Sequence, residues 1–520
     1  MCYNPFVVIS HFDSRRENED SMKVVNPIIK ADMPDVDLLR VKDTYYMVST
    51  TMFYVPGAPI LKSKDLCNWE IVSYIFDILE DNEIYRLENG KNAYGKGQWA
   101  TSLTFHNGRY YASFASNDGN KTYIFSTDDI EKSNWERTAE IDGIYHDMSF
   151  LFWEGKPYLV YGNGDIYIVE LKEDLSGIRE DGLNRVLFKT PEEGIMLRCE
   201  GCRALVRNGY IYLMFIEWPQ NYRRREVCYR SRSLEGPYES RVIMDDDCGF
   251  EGHGVAQGTM IDSESGEWYA MLFQDRGASG RIPFLMPAHW ENDWPVFGTS
   301  DGKIPELFDI PFSAYDAKPV VISDSFNHEE NKLALQWQWN HNPDVSGWSF
   351  TERPGYLRLT TRQIASGLMD ARNTLTQRTI EPGCVCEVTM DATGMREGDY
   401  AGICAFQGRY GQIGVTVEDG VKSLFMTYKK KDGSFEKTTI PMEKDTVCLR
   451  IIFDYRNRKD KASFFFKYDE SDDWRQLGDT LDMEFTLDVF VGYRIGIFCY
   501  SEKNIGGYAD FRDFDIKEIQ

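Results

Sequence analysis

Three carboxylic acids occupy matching places in this 520-residue chain: Asp35, Asp147 and Glu200. Asp35 lies eleven residues before Tyr46, Asp147 eleven before Tyr158, and Glu200 twelve before Tyr212. Trp99 and Gln257 stand twelve residues before two further tyrosines, Tyr111 and Tyr269. A lone Asp ahead of a strand is commonly a turn residue, but three acids at matching offsets of eleven or twelve in repeated units exceed what turn preference explains. Carboxyl groups gathered in a partly dry pocket repel one another, and one of them stays protonated near neutral pH. That arrangement suits metal binding or acid–base work. Cleavage of a glycosidic bond needs such a set: a protonated acid for the leaving oxygen and an ionised carboxylate across the ring. A gap of roughly 6.5–9.5 Å admits a water and inverts the anomeric centre; roughly 5–5.5 Å allows direct attack and retention.

The tyrosines belong to one phrase written five times: "RVKDTYYMVSTT" (40–51), "FHNGRYYASFAS" (105–116), "FWEGKPYLVYGN" (152–163), "VRNGYIYLMFIE" (206–217) and "SESGEWYAMLFQ" (263–274). Each reads as a turn followed by an aromatic-rich strand, the grammar of a β-hairpin. Successive tyrosines are 65, 47, 54 and 57 residues apart. Units of roughly fifty residues with about four strands each are the signature of propeller blades. "SKDLCNWE" (63–70), "STDDIEKSNWE" (126–136) and "SRSLEGPYE" (231–239) read as outer-strand phrases. The first strand of a blade lines the central channel, so the five offset residues are expected at one mouth of it. The predicted fold is all-β: an N-terminal extension (1–22), a five-bladed propeller (23–320) and a β-sandwich (324–520). In the third segment, runs such as "CEVTM", "QIGVTVE", "CLRIIFDY", "ASFFFKY" and "RIGIFCY" alternate polar and apolar residues between turns. Trp337, Trp339 and Trp348 form either a sugar platform or, the commoner fate of aromatic clusters, a packed seam between domains.

Bulk composition narrows the partners. A net charge of −25 argues against nucleic acid and anionic membranes, while 14% aromatic content suits neutral sugars held by ring faces. No apolar run reaches the roughly 18–20 residues that span a bilayer. The first residues lack the basic start and cleavage site of a secretory signal, and Met22 is an alternative start. Eleven cysteines without framework spacing predict reduced thiols and a cytoplasmic location. Cys199 and Cys202 flank Glu200, but with no second Cys-x-x-Cys they read as small packing residues rather than a metal clip. Whether copies of the chain assemble is open.

The ordered motifs resemble glycoside hydrolase family 43 along essentially the whole chain. "NPIIKADMPDVDLLRVKDTYYMVSTTMFYVPGAPILKSKDLCNWEIV" (26–72) resembles that family's opening blade. "GQWATSLTFHNGRYY", "HDMSFLFWEGKPYLVYG", "CEGCRALVRNGYIYLMF", "GEWYAMLFQD" and "GRIPFLMPAHWENDWPVFG" follow in order. The C-terminal part is similar to the concanavalin-like jelly roll of the family's xylosidases, which leans over the propeller mouth and narrows it. The resemblance implies Asp35 as general base, Asp147 as the carboxylate that orients the acid and raises its pKa, and Glu200 as general acid. It implies Trp99 and the Met52–Phe53 region as an apolar wall for the sugar. Arg281 falls near the acid-modulating residue, and Gln257 is a further candidate substrate contact. The implied activity is exo-acting, inverting release of a terminal β-D-xylosyl or α-L-arabinofuranosyl unit from hemicellulose oligosaccharides, with β-xylosidase leading.

Two departures stand out. Val36 and Asp37 replace the Pro-Ser that usually follows the base, and strand alternation is expected to turn Asp37 away from Asp35. Gln257 holds the position at which the family often orders a calcium ion with histidine, with His253 four residues earlier. No cofactor is required; a structural Ca2+ is the one ion the resemblance allows, and Gln257 argues against it. Three other readings compete. One is arabinofuranosidase as the sole activity. Another is an invertase-like retaining enzyme, whose Asn-Asp-Pro the segment "MPDVD" does not supply. The third is a non-catalytic carbohydrate-binding protein on the same scaffold.

Overall fold

The computed structural model describes residues 21–519 of the 520. Most of the predicted extension 1–22 lies outside those residues, and Met22 itself opens a strand. The remainder is all-β, with only four short 3-10 turns among the described residues.

Five four-stranded antiparallel sheets follow one another, each in simple consecutive order. Their inner strands are Asp37–Val41, Ser102–His106, Ser149–Trp153, Ile195–Arg207 and Ala256–Asp262, in blades I to V. Each inner strand touches those of its two neighbours, so the ring closes. The turns behave as their sequences require. Asn107-Gly108, Glu154-Gly155 and Asn208-Gly209 each hold two residues at positive φ, the two-residue hairpin geometry that matches strand twist. The repeated tyrosines occupy equivalent second-strand places, Tyr46 opposite Leu39 and Tyr158 opposite Leu151. Closure is completed outside the blades, where Met22–Val25 pairs with Leu307–Ile310. Asn26 of the Asn-Pro start explains itself here: its side chain donates to Leu285 O (2.7 Å) and Pro305 O (2.8 Å) and accepts from Leu285 N (2.9 Å).

Beyond the propeller two sheets face one another. One contains Gly383–Asp391, Thr446–Asp454 and Lys461–Lys467, with the alternating burial of a half-solvated sheet. In the other, Asp399–Phe406 and Arg494–Ser501 are buried throughout. The second sheet does not stop at the domain boundary. Its strand Gln338–Asn340 pairs with Tyr54–Val55 of the propeller, which forms the edge of the sheet, Trp339 opposite Val55. One continuous apolar core accordingly runs through both units. Trp337 and Trp339 are packed into this seam, Trp337 donating to Asp324 Oδ2 at 3.0 Å. Trp348 is half-buried against Trp339, ring centroids 5.5 Å apart.

Candidate active site

Asp35, Trp99, Asp147, Glu200 and Gln257, the five residues at the shared offset, line one cavity of about 210 Å³ at a mouth of the propeller channel. The backbone explains the convergence. Asp35 (φ 58), Asp147 (φ 47) and Gln257 (φ 61) sit just before or at the start of inner strands in the left-handed region. Non-glycine residues seldom adopt it. Blade IV has Gly201 there instead (φ 70), one residue after Glu200, and a Cβ on Gly201 would lie 2.6 Å from Gln257 Cδ. The left-handed step breaks strand alternation at the rim and turns these side chains across the channel mouth. It also corrects the reasoning about Asp37. Alternation would put residues 35 and 37 on one face; the bend at Asp35 separates them, and Asp37 lines the far end of the channel.

Arg203 divides the two ends. It is 1% exposed, donates to the carbonyls of Asp35 (2.8 Å), Val36 (3.3 Å), Cys202 (2.8 Å) and Thr101 (3.3 Å), and lies 3.4 Å from Asp37. A permanent cation therefore lies beneath the cavity, under the backbone of Asp35 rather than in the lining itself. Calcium asks for six to eight oxygen ligands. Here the axis already carries a guanidinium, and Gln257 offers one amide, so the residues present do not fit that ion.

The acids are held differently. Arg281 Nη1 donates to Asp35 Oδ1 at 2.9 Å. That salt bridge makes Arg281 a partner of Asp35, whereas the sequence had put it near Asp147. On the opposite side His146 Nε2 lies 3.1 Å from Glu200 Oε2 and 3.7 Å from Asp147 Oδ2. Asn163 Nδ2 also donates to Glu200 Oε2 at 2.5 Å. One ligand-capable atom from each of His146, Asp147 and Glu200 falls within a 4.8 Å circle. Burial, reinforced by the Glu200 and Asp35 charges, pushes the Asp147 carboxyl up to about 6 against the pull of His146. The Asp147 charge, with the Glu200 hydrogen bond, holds His146 up at about 9 despite its burial. At neutral pH the raised His146 carries a proton beside the two carboxyls.

Met52 lines the cavity with Trp99. Gln98 fixes both: its backbone exchanges hydrogen bonds with Met52 (3.0 and 3.2 Å), and its side chain donates to Trp99 O (2.9 Å) and Thr101 Oγ1 (2.7 Å). Phe53 does not line the cavity. The next residue along a chain bent at Met52 (φ 55), it turns into the domain seam and stacks on His341, centroids 4.9 Å apart. Cys199 and Cys202 are fully buried free thiols, and burial raises both, Cys199 to about 12. They pack; they do not react.

Several groups in or beside the cavity carried no sequence signal of their own. His146 adjoins Asp147 and was legible only by adjacency. Arg224, over the Trp218 ring and paired with Asp275, lines the cavity with His253. The roof comes from the sandwich: Phe485, Leu487 and Phe490. The Phe490 ring stacks on Trp99 (5.8 Å, 14°) and lies 4.9 Å beneath the Arg281 guanidinium. Asp32 anchors this roof, its carboxyl accepting from Arg281 N (2.7 Å) and Gly492 N (2.9 Å). Gly492 has no room for a side chain, since a Cβ would lie 2.4 Å from Ser279 O. The cavity thus has Arg203 beneath it and is roofed by a loop of the second domain, on the scale of one sugar ring rather than a chain of them.

Comparison with known proteins points the same way. Residues 24–295 match the family model described as glycosyl hydrolases family 43, and residues 323–517 match the beta xylosidase C-terminal concanavalin A-like domain. A beta-xylosidase from Formosa agariphila is 27% identical over 94% of this chain and 89% of its own length. A non-reducing end alpha-L-arabinofuranosidase from Bacteroides ovatus is 30% identical over 64% of each. Among solved structures, a bifunctional GH43-CE protein from Bacteroides eggerthii is 43% identical with a TM-score of 0.89; the match covers 96% of this chain and 64% of that one. A GH43 glycoside hydrolase engineered for both endo-xylanase and exo-arabinofuranosidase activity is 28% identical, TM-score 0.85, over 96% of this chain and all of its own.

Proposed function

The chain belongs to glycosyl hydrolase family 43, and from that premise we propose that it is an exo-acting glycosidase. It releases single terminal pentoses from hemicellulose oligosaccharides with inversion, β-D-xylosyl units first. The observation that carries the reading is the cavity itself: Asp35, Asp147 and Glu200 meet in one space with Phe490 over it and the Arg203 guanidinium beneath the Asp35 backbone. A dead-end space of this size suits a terminal residue and excludes the middle of a chain.

In this reading the terminal pentose lies against Met52 and the edge of the Trp99–Phe490 stack, its anomeric carbon between Asp35 and Glu200. The Glu200 carboxylic acid gives its proton to the glycosidic oxygen as the C1–O bond breaks. Asp35 takes a proton from a water whose oxygen forms the new bond to C1 from the opposite face. Arg281 holds Asp35 oriented through its 2.9 Å salt bridge. Asp147 and His146 supply the charge environment of the acid, and the His146 proton keeps the group of carboxyls from accumulating negative charge. No cofactor enters these steps. The ten described cysteines are all free thiols, which supports a reducing, cytoplasmic compartment.

β-Xylosidase leads because the C-terminal domain matches the beta xylosidase type and the Formosa agariphila relative matches over nearly its whole length. The Bacteroides ovatus relative supports α-L-arabinofuranosidase as the second reading. A non-catalytic sugar-binding role fits poorly with a full set of acids in one closed space. The test is a side-by-side assay on aryl β-D-xyloside, aryl α-L-arabinofuranoside and xylo-oligosaccharides. Shortening of xylo-oligosaccharides one xylose at a time is expected; internal cleavage or no hydrolysis would refute the proposal.

A further inference from the structure

Outside the catalytic cavity, the least balanced polar cluster lies in the domain seam. Arg378 and Arg494 are direct register partners on neighbouring strands of the sandwich sheet, which puts both side chains on one face, about 5 Å apart at Cβ. They are 1% and 2% exposed. Like charges opposite one another are destabilising even at a surface, and unpaired charges inside a protein cost several kcal/mol each.

The neighbours do not neutralise the pair. Arg378 Nε donates to the Asp32 carbonyl at 2.9 Å, while its Nη1 and Nη2 are buried with no carbonyl or carboxylate partner. Arg494 Nη1 donates to Gln338 Oε1 (2.9 Å) and Thr376 Oγ1 (3.4 Å), while its Nε has none. The Tyr54 ring lies 3.6 Å under the Arg494 guanidinium, and the Tyr54 hydroxyl is a third buried group without a partner. The Tyr74 hydroxyl, whose own proton goes to Leu335 O at 2.6 Å, hydrogen-bonds the Arg378 side chain but brings it no charge. Asp32 is the acid whose charge reaches both guanidinium groups, and its carboxyl oxygens already accept from Arg281 N and Gly492 N. Arginine remains protonated at neutral pH in such surroundings, so two fixed positive charges face one acid.

We infer that Arg378, Arg494 and the Tyr54 hydroxyl bind a small monovalent inorganic anion, chloride or one like it, at the junction of propeller and sandwich. The unpartnered groups are charged N–H donors and a phenol O–H, the complement of an anion. The charge difference of one asks for a monovalent species. Full burial of all three side chains rules out a carboxylate or phosphate ester that would need an open groove. The anion would tie Tyr54 of blade I to the sheet bearing Arg494. Through Arg378 and Asp32 it would also support the backbone that carries Arg281 and the roof loop at Gly492.

The experiment uses the whole enzyme. Crystals soaked in sodium bromide should give an anomalous peak in contact with Arg378 and Arg494; an ordered water there without anomalous signal would overturn the inference. In solution, chloride or bromide should raise the melting temperature relative to sodium gluconate of equal ionic strength. The expected slope is about 1 °C per tenfold rise in halide once the site is filling, for a chain of this length. Identical melting in the two salts would equally overturn it. Arg494→Met removes one of the two charges and should abolish the halide dependence. If that variant does not fold, the bromide crystals of the unaltered chain decide alone.

Discussion

His146 is the group through which the charge arrangement of the cavity can be weighed. Its imidazole is held at about 9 against an ordinary 6.5, chiefly by the Asp147 charge. The difference corresponds to about 3 kcal/mol of preference for the protonated ring in the folded state. Because the folded value is the higher one, this contribution is complete below pH ~6.5 and fades as pH rises through about 9. His146→Gln keeps an N–H near Glu200 but cannot be charged, so it never receives the contribution. The stability difference between the two proteins should therefore shrink by about 3 kcal/mol from pH 6.5 to pH 9.5. With an unfolding entropy near 1 kcal/mol per kelvin for a chain of this length, that is a convergence of melting temperatures of about 3 °C. Asp147 moves the opposite way in the variant. Since His146 pulls its carboxyl down towards about 6, loss of the ring should raise the acidic limb of the kcat/KM profile. The assay is thermal unfolding of both proteins across that pH range, with an NMR titration of the His146 ring. Parallel melting curves, or a ring that titrates near 6.5, would refute the electrostatic reasoning.

Glu200→Gln should lower turnover of xylo-oligosaccharides by about 10²–10⁴-fold with the fold intact, and should spare aryl glycosides whose leaving group needs no proton. Undiminished hydrolysis of natural substrates would remove Glu200 from the acid role. Proton NMR of the first sugar released should show the anomer opposite to that of the substrate, and a retained anomer would exclude Asp35 as a base acting through water. Phe490→Ala removes a ring that stacks on Trp99 and lies against Arg281, and with it an apolar contact to the sugar worth about 1.5 kcal/mol. KM should rise about tenfold with a smaller change in kcat, and an unchanged KM would show that the roof does not touch the sugar.

What could be read from the sequence, and what could not, follows from how far apart the cooperating residues lie. Asp35, Asp147 and Glu200 were found because each blade repeats its own grammar, so a residue at the head of an inner strand keeps its distance from a tyrosine on the next. Trp99 and Gln257 obeyed the same count, and all five line the cavity. Phe53 was placed in the apolar wall by resemblance alone, and the bend at Met52 (φ 55) turns it into the domain seam instead. Likewise Arg281 was legible as a motif residue but its partner was not, because its salt bridge to Asp35 spans 246 positions. The divorce of Asp37 from Asp35 was expected for a reason that cannot hold, since residues two apart on a strand share a face. The left-handed backbone at Asp35 does the work.

The roof shows why a repeat-based reading stops at the propeller. Phe490 belongs to no repeat, and the bond that holds its loop down, from Gly492 N to Asp32 Oδ2, joins positions 460 residues apart. Nothing in the local spacing of either segment encodes that contact; it follows from how the sandwich sheet takes Tyr54–Val55 as its edge strand. Once that strand is paired, Arg378 lies under Asp32 and the Asp32 carboxyl accepts from both Arg281 and Gly492. The salt bridge to Asp35, the ring over Trp99 and the buried arginine pair are then consequences of one edge pairing. A propeller cut away from its sandwich would keep the three acids and the Arg203 guanidinium beneath the Asp35 backbone. It would lose the groups that make the space a dead end, and with them the reason to cleave one residue at a time.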